Sequence, residues 1–413
     1  MSYFLPTAKV WNRFILRGVL LFGAGVMAAL APTPGKAQTD NPQDAADGEA
    51  NIALIDRGIG LPEAVAKATL DRIWDYSNAY RNDDARFIQE LSLLGRYHGQ
   101  YWGVASNQGN ADGWEDRRIW AGARMRFLDE LTLASNFNLD PKPGSTPTRN
   151  RDYIDTLTLA WLHEDKIQLT LGQQKPGFTY EYDTSSNRIL TLERSMLVNQ
   201  IAPEKSPGLM FEQKLNDFRY RIGGYSGQPL GESIDDLFGL LALEYDFGKI
   251  TGHERMGIQF YYLYSPEKKN EAIVPYRHSY SISSDFQEGP VSFLAQLMMA
   301  DSFGDRPDVW GFTLMPAKFI HEEKLQLVAR YQYANSDGAD GLQLPNRYER
   351  QVPNLHNNGL GDRYHAGYLG LNYYIYGNRL KLMAGIEYSD MSGGSKGGDF
   401  SGWSGFGGLR VIF

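Results

Sequence analysis

The 413 residues contain no cysteine. No disulfide can therefore brace this fold, and an exported chain of this kind must draw its stability from the closure of its own secondary structure. Long apolar runs are also missing. Beyond the first 37 residues no stretch of 18 or more apolar residues occurs, and mean hydropathy is −0.42. That excludes a further transmembrane helix. It leaves a transmembrane barrel open, because strands that alternate lipid-facing and lumen-facing residues keep the average hydrophilic. Catalytic motifs are absent as well. The seven histidines (98, 163, 253, 278, 321, 356 and 365) are scattered, and none forms a His-Glu-x-x-His pair. No Gly-x-Ser-x-Gly elbow is present. The sequence thus points away from an enzyme and calls for no cofactor or metal.

What is present begins with an export signature. Lys9, Arg13 and Arg17 precede an apolar run from Val19 to Leu30, and Gly35-Lys36-Ala37 supplies small residues before Gln38. Residues 1–37 are therefore expected to be a signal peptide. The whole chain carries 41 basic and 49 acidic residues; removing Lys9, Arg13, Arg17 and Lys36, with no acid among the first 37, leaves the remainder at −12. This acidic balance argues against a nucleic-acid partner. Residues 38–84 read as a periplasmic leader. Within it Leu61, Val65, Ala68, Leu70, Ile73 and Tyr76 fall near helical spacing behind Pro62, so a short amphipathic helix over 61–80 is expected at the barrel mouth, docked on its surface or plugging it.

Residues 85–413 read as an all-β, antiparallel transmembrane barrel. In Arg117–Phe127, Ile119, Ala121, Ala123, Met125 and Phe127 alternate with Arg118, Trp120, Gly122, Arg124 and Arg126. Lys324–Ala334 and Arg379–Tyr388 behave alike, with Arg and Lys rows behind apolar faces rich in Tyr. The 44 Gly, 25 Tyr, 20 Phe and 8 Trp suit strands with aromatic girdles. Connections alternate short and long. Short turns are expected at Asp129-Glu130, His163–Asp165, Asn216-Asp217, Gln287–Pro290 and Tyr376–Asn378. Long ones are expected near 106–116, 140–152, 173–207, 265–277 and 336–362. The count is about 16 strands, an even number that leaves both ends periplasmic.

Assigning each strand's polar face to the lumen places Arg96, Arg118, Arg124, Arg126, Arg219, Arg221, Arg330, Arg379, Lys381 and Arg410 inside. Among acids only Glu90, Glu244, Asp285 and Glu387 join them. An acidic protein is thus expected to carry a basic, anion-preferring lumen. About half of these basic groups are expected to do no more than pair with loop carboxylates. The chain ends Trp403 … Leu409-Arg410-Val411-Ile412-Phe413. This ending resembles the C-terminal signature by which the barrel assembly machinery recognises outer-membrane proteins, and outer-membrane lipid is the expected surround.

The third long connection, 173–207, is entered from Leu171-Gly172 and left through Pro207-Gly208. This stretch carries Gly172-Gln173-Gln174-Lys175-Pro176-Gly177-Phe178, then Thr184-Ser185-Ser186-Asn187-Arg188, then Glu193-Arg194-Ser195, then Ile201-Ala202-Pro203. This series resembles the corresponding block of the phosphate-selective porin O and P family. The resemblance implies a 16-stranded porin, trimeric, whose third loop folds inward and narrows the lumen, with arginines and lysines handing anions such as phosphate along it. Lys175 and Arg188 then become candidates for solute contact. Arg194 beside Glu193 is expected to form an ion pair holding the loop against the wall. Two departures weaken the phosphate reading: no lysine cluster marks a periplasmic vestibule, and Glu181 and Asp183 enter the loop. A structural or adhesive barrel without an open pore, and a channel for sugars or organic acids using the aromatic Tyr180 and Tyr182, are the alternatives.

Overall fold

In the computed structural model the description covers residues 63–140, 153–266, 272, 276–304, 306–345, 347–395 and 399–413. The expected signal peptide, the expected leader up to residue 62 and most of the long connection expected near 140–152 lie outside the described residues. A helix spans Glu63–Asp75, and a short strand β1 (Asn78–Arg81) follows. The barrel opens with two long strands, β2 (Ile88–Ser106) and β3 (Gly109–Phe127). Then come β4 (Leu131–Asn138), β5 (Ile154–His163), β6 (Ile167–Gln174), β7 (Ser206–Leu215), β8 (Phe218–Tyr225) and β9 (Phe238–Asp246). Next are β10 (Arg255–Tyr264), β11 (Tyr276–Glu288), β12 (Val291–Ser302), β13 (Val309–His321) and β14 (Leu325–Ser336). A two-residue pair, β15 (Leu342–Gln343) with β16 (Leu360–Gly361), interrupts the series. The chain finishes with β17 (Arg363–Tyr376), β18 (Leu380–Ser392) and β19 (Phe400–Ile412).

Each stave pairs antiparallel with the next, β14 passes directly to β17, and β19 pairs with β2 through Leu409↔Gly99. Leaving aside β1, β15 and β16, that closes a 16-stranded barrel and removes every sheet edge. The outward positions carry exposed aliphatic side chains, among them Leu159, Leu171, Ile222, Ile258, Leu369 and Ile386. In water such a surface would aggregate; it is the band that lipid covers. No helix among the described residues is long and apolar enough to cross a membrane.

Turns at one end are tight because their backbones take left-handed values. Leu128 and Asp129, and Glu164 and Asp165, have φ between 49° and 63°. Paired positive φ values match the right-handed twist of the flanking strands, the geometry of two-residue hairpins. The opposite end carries the long loops, with one correction. Ser106 pairs with Gly109, so the Gly- and Asp-rich stretch 106–116 is no long loop: after a two-residue turn at 107–108 it is strand. Its polar residues are satisfied across the hairpin, where the hydroxyls of Tyr97 and Tyr101 donate to Asp116 and Asp112, each at 2.7 Å.

The N-terminal helix is shorter than its periodicity implies. The Ser77 hydroxyl and backbone N–H both donate to the Trp74 carbonyl, ending the helix, and residues 78–81 pair with β2 instead of continuing to Tyr80. The helix is tied to the rim at the short-turn end. The Trp74 indole donates to the Ile412 carbonyl at 2.6 Å, and the Tyr376 hydroxyl donates to Asp71 at 2.6 Å.

The last residue closes the seam. Phe413 and Gly95 exchange both backbone hydrogen bonds (3.0 and 2.9 Å), and the Phe413 ring lies over Gly95, where any Cβ would collide with it. Gly95→Val should therefore displace the ring and lower the temperature at which the barrel loses its heat-resistant gel mobility, whereas Gly103→Val, whose nearest neighbour would be 3.7 Å away, should not.

Candidate functional site: a constriction built by two inward loops

The connection between β6 and β7 is driven inward by its own apolar residues. Phe178, Leu192, Met196, Leu197, Val198 and Ile201 are each no more than 3 % exposed. All but Leu192 join one cluster with wall residues of β9, β10 and β12, among them Leu240, Tyr261 and Met298. Burial of this many side chains, each worth about 1.5–3 kcal/mol against exposure, holds the loop to one side of the lumen. Gly408 on β19 makes room for it, since a Cβ there would come within 2.9 Å of Leu192 Cδ2.

Charge then fixes the loop's backbone. Arg330 on β14 donates from Nη1 to the Glu193 carbonyl (2.8 Å) and Thr191 Oγ1 (3.1 Å), and from Nη2 to Glu387 (2.7 Å). Lys381 donates to the Ile189 carbonyl at 3.1 Å and Arg410 to the Leu192 carbonyl at 2.8 Å. Arg221 grips Asp183 with both guanidinium nitrogens, at 3.1 and 2.6 Å. Glu181, 3 % exposed, accepts from the Ser195 backbone N–H and hydroxyl, each at 2.7 Å. Neither Glu181 nor Asp183 lines the cavity described below, so the acids that seemed to oppose anion passage are spent inside the loop's own fixation. Arg194 corrects another expectation. It does not pair with Glu193; it donates to the carbonyls of Glu181 (2.9 Å) and Thr184 (2.8 Å) and so ties the loop to itself.

A second loop, 337–362, also reaches inward. Leu342, Leu344, Tyr348 and Glu349 are at most 2 % exposed. Gln200 of the first loop donates to the Gly341 carbonyl at 2.8 Å and accepts from the Gln343 N–H at 3.0 Å, joining the two. Tyr348 stacks near Phe406, ring centroids 4.8 Å apart, and accepts from the Gln100 side chain. Glu193 is the meeting point. Arg117 donates to it at 2.8 Å, Arg347 stands 3.6 Å away and Gln100 donates at 3.3 Å. Burial alone would raise this carboxyl, but Arg117 outweighs burial and holds it at about 2.

Between these loops and the wall of β2–β5 lies a cavity of about 510 Å³. Eight cationic side chains and five carboxylates line it. Three of the ten basic residues expected on the lumen faces, Arg96, Arg118 and Arg330, meet here with the loop candidate Lys175. Arg96 donates to Ser186 at 2.8 Å and stacks on Trp120 at 4.8 Å; Arg118 reaches His98 Nδ1 at 3.3 Å. Lys175 donates to the carbonyls of Tyr182 and Asp183, both at 2.8 Å. The other eight candidates, Arg379 and Arg410 among them, lie outside that lining. Arg124 pairs with Glu90 at 2.8 Å and Arg126 with Asp83, towards the short turns. Arg219 pairs with Glu244, Arg221 and Lys381 anchor the loop, and Arg188 is exposed outside the cavity.

Three lining cations escaped the sequence reading. Arg117 faces inward beside Arg118 because the pairing slips between His98 and Gly99, a bulge that puts two successive residues on one side. Lys205 ends the first loop, pairs with Asp155 and sits over Trp120 at 4.4 Å. Arg347 comes from the second loop and pairs with Glu115. Burial, partly offset by Asp155, lowers Lys205 to about 8. Burial, opposed by Asp183 and reinforced by Arg194, Lys205 and Arg96, lowers Lys175 to about 7.

Solved structures share this architecture at low identity. The high-pH structure of Pseudomonas putida OprB matches with a TM-score of 0.54 and 12 % identity, over 78 % of this chain and 94 % of that one. Salmonella typhi OmpF, solved in complex with daunomycin, matches with a TM-score of 0.51 and 11 % identity, over 78 % of this chain and 98 % of that one. No curated protein matches the sequence. A family model described as phosphate-selective porin O and P matches residues 93–319, more than half of the chain, from within β2 to within β13. The chain belongs to that family, and it is a porin, a channel of the bacterial outer membrane.

Proposed function

We propose that this porin passes small solutes by passive diffusion with a preference for anions, phosphate-like ions among them. The observation that carries the preference is the cavity lining, eight cations against five carboxylates, in a chain whose total charge is negative. Of those carboxylates, Glu193, Asp155 and Glu387 are each engaged by a cation: Arg117, Lys205 and Arg330. Fixed guanidinium groups replace part of an anion's hydration shell, and several shared contacts keep any one of them weak enough to release it. The same reading takes residues 1–37 as the export signal, the strand ending at Phe413 as the segment the assembly machinery recognises, and the barrel as one subunit of a homotrimer.

Planar-bilayer recording across a KCl gradient tests the preference. The expected result is an ohmic channel whose reversal potential reports chloride moving faster than potassium, with Arg96→Ala and Arg118→Ala each shifting it toward zero. A reversal potential of cation-selective sign would sink the anion reading.

A further inference from the structure

The lining charges are not mixed evenly. Lys175, Lys205, Arg96 and Arg194 act on one another at one side of the cavity, close to Asp155. Glu349 stands apart from them. The charged groups that act on it are Glu387, Arg330 and Glu193. It is 1 % exposed, it opens the short helical turn Glu349–Gln351 of the second loop, and among the described residues no donor reaches its Oε2. Glu387 beside it is already taken by Arg330 at 2.7 Å. The rings of Tyr348, Phe406 and Tyr368 line the cavity with it, giving a partly apolar surface.

A buried carboxyl with an unfilled acceptor is costly, and once ionised it repels a simple anion. A lumen shaped only for small anions gains nothing from placing one on the cavity wall. It does gain if the solute brings a positive or strongly hydrogen-bond-donating group of its own. Burial, reinforced by Glu387, lifts Glu349 to about 8, and an ammonium beside it would reverse that rise.

We propose that the cavity is a bipolar site for zwitterionic solutes such as short peptides, with the carboxylate end held by the Arg96, Lys175 and Lys205 side and the ammonium end by Glu349. The inference rests on the channel reading above and names a solute class for it. The second loop is then a specificity element, since it delivers Glu349 to a lumen otherwise dominated by cations.

The test is block of single-channel current at pH 7 by triglycine and by N-acetyltriglycine, which keeps the carboxylate and loses the ammonium. Triglycine is expected to half-block the wild-type channel at a concentration at least fivefold lower. Glu349→Gln should abolish or invert that order, and Glu349→Asp should keep it. Equal block by the two peptides in the wild type, or an order unchanged in Glu349→Gln, overturns the proposal while the salt conductance measured in the same membranes leaves the channel reading standing. Absence of any ohmic salt conductance overturns both.

Discussion

Arg330→Met is expected to free the inward loop and raise single-channel conductance severalfold while the barrel stays folded. Arg330 lies 5 % exposed at the junction of three elements, the 175–205 loop, β14 and β18. Its guanidinium satisfies the Glu193 carbonyl, the Thr191 hydroxyl and Glu387, and lies 3.5 Å from Glu181. Methionine fills similar volume but leaves Glu387 and Glu181 buried without their cation. Breaking a buried pair from one side costs about 3–5 kcal/mol, because the remaining charge is uncompensated. The barrel ladder shares none of these contacts, so the cost falls on the loop. Once the loop can leave the wall, the lumen widens and selectivity drops with it. The double variant Arg330→Met/Glu387→Gln should restore part of the lost stability, since removing both partners is cheaper than removing one. Bilayer conductance and proteolysis of the loop read the outcome together. A conductance unchanged in the single variant would show that the apolar packing of Phe178, Leu192 and Ile201, with the anchors Arg221, Lys381 and Arg410, holds the constriction without Arg330.

The sixteen staves were legible in the sequence because alternation, tight turns and a terminal aromatic are local signals. Arg117–Phe127 and Arg379–Tyr388 announce their two faces without any tertiary knowledge. The hairpin at 106–109 was not legible. Its Gly, Asn and Asp residues have the composition of a loop, and only the cross-strand Tyr–Asp bonds make them strand. The basic lumen was legible as a count but not as a site. Alternation says that Arg118, Arg221 and Lys381 face inward; it does not say that a loop arrives carrying carbonyls for Lys381 and a carboxylate for Arg221 to hold. Arg117 was hidden by a bulge, which breaks period-2 reasoning by one residue. Arg347 and Glu349 were hidden because nothing in the composition of 337–362 marks that loop as turning inward. Its apolar residues Leu342, Leu344 and Tyr348 are too sparse to form a periodic signal, and their burial depends on Gln200 and Phe406 across the lumen.

Anion preference is expected to fall by roughly two- to threefold in permeability ratio between pH 6 and pH 9, because the cavity loses charge in that window. Arginines stay protonated throughout. The lysines do not. Burial first, then neighbouring cations, lowers Lys175 to about 7 and Lys205 to about 8, so both are charged at pH 6 and largely neutral at pH 9. Glu349 moves in the same direction, since burial raises it to about 8 and it gains negative charge as pH rises. The two lysines have the opposite consequence for stability. Their folded values lie below the ordinary 10.5, so between about pH 7 and 10.5 the unfolded chain binds protons that the folded chain does not, and the lysine contribution to stability increases with pH. Glu349 works against them up to about pH 8, because its raised value makes the folded chain bind the extra proton there; above pH 8 the lysines prevail, and selectivity and loop stability should run in opposite senses. Lys205→Arg keeps a cation over Trp120 and beside Asp155 at every pH, so it should flatten much of the titration. Reversal potentials measured at unit steps from pH 6 to 9 decide the matter. A wild-type value that does not move would mean that the arginines alone set selectivity and that the lysines serve only to hold the loop.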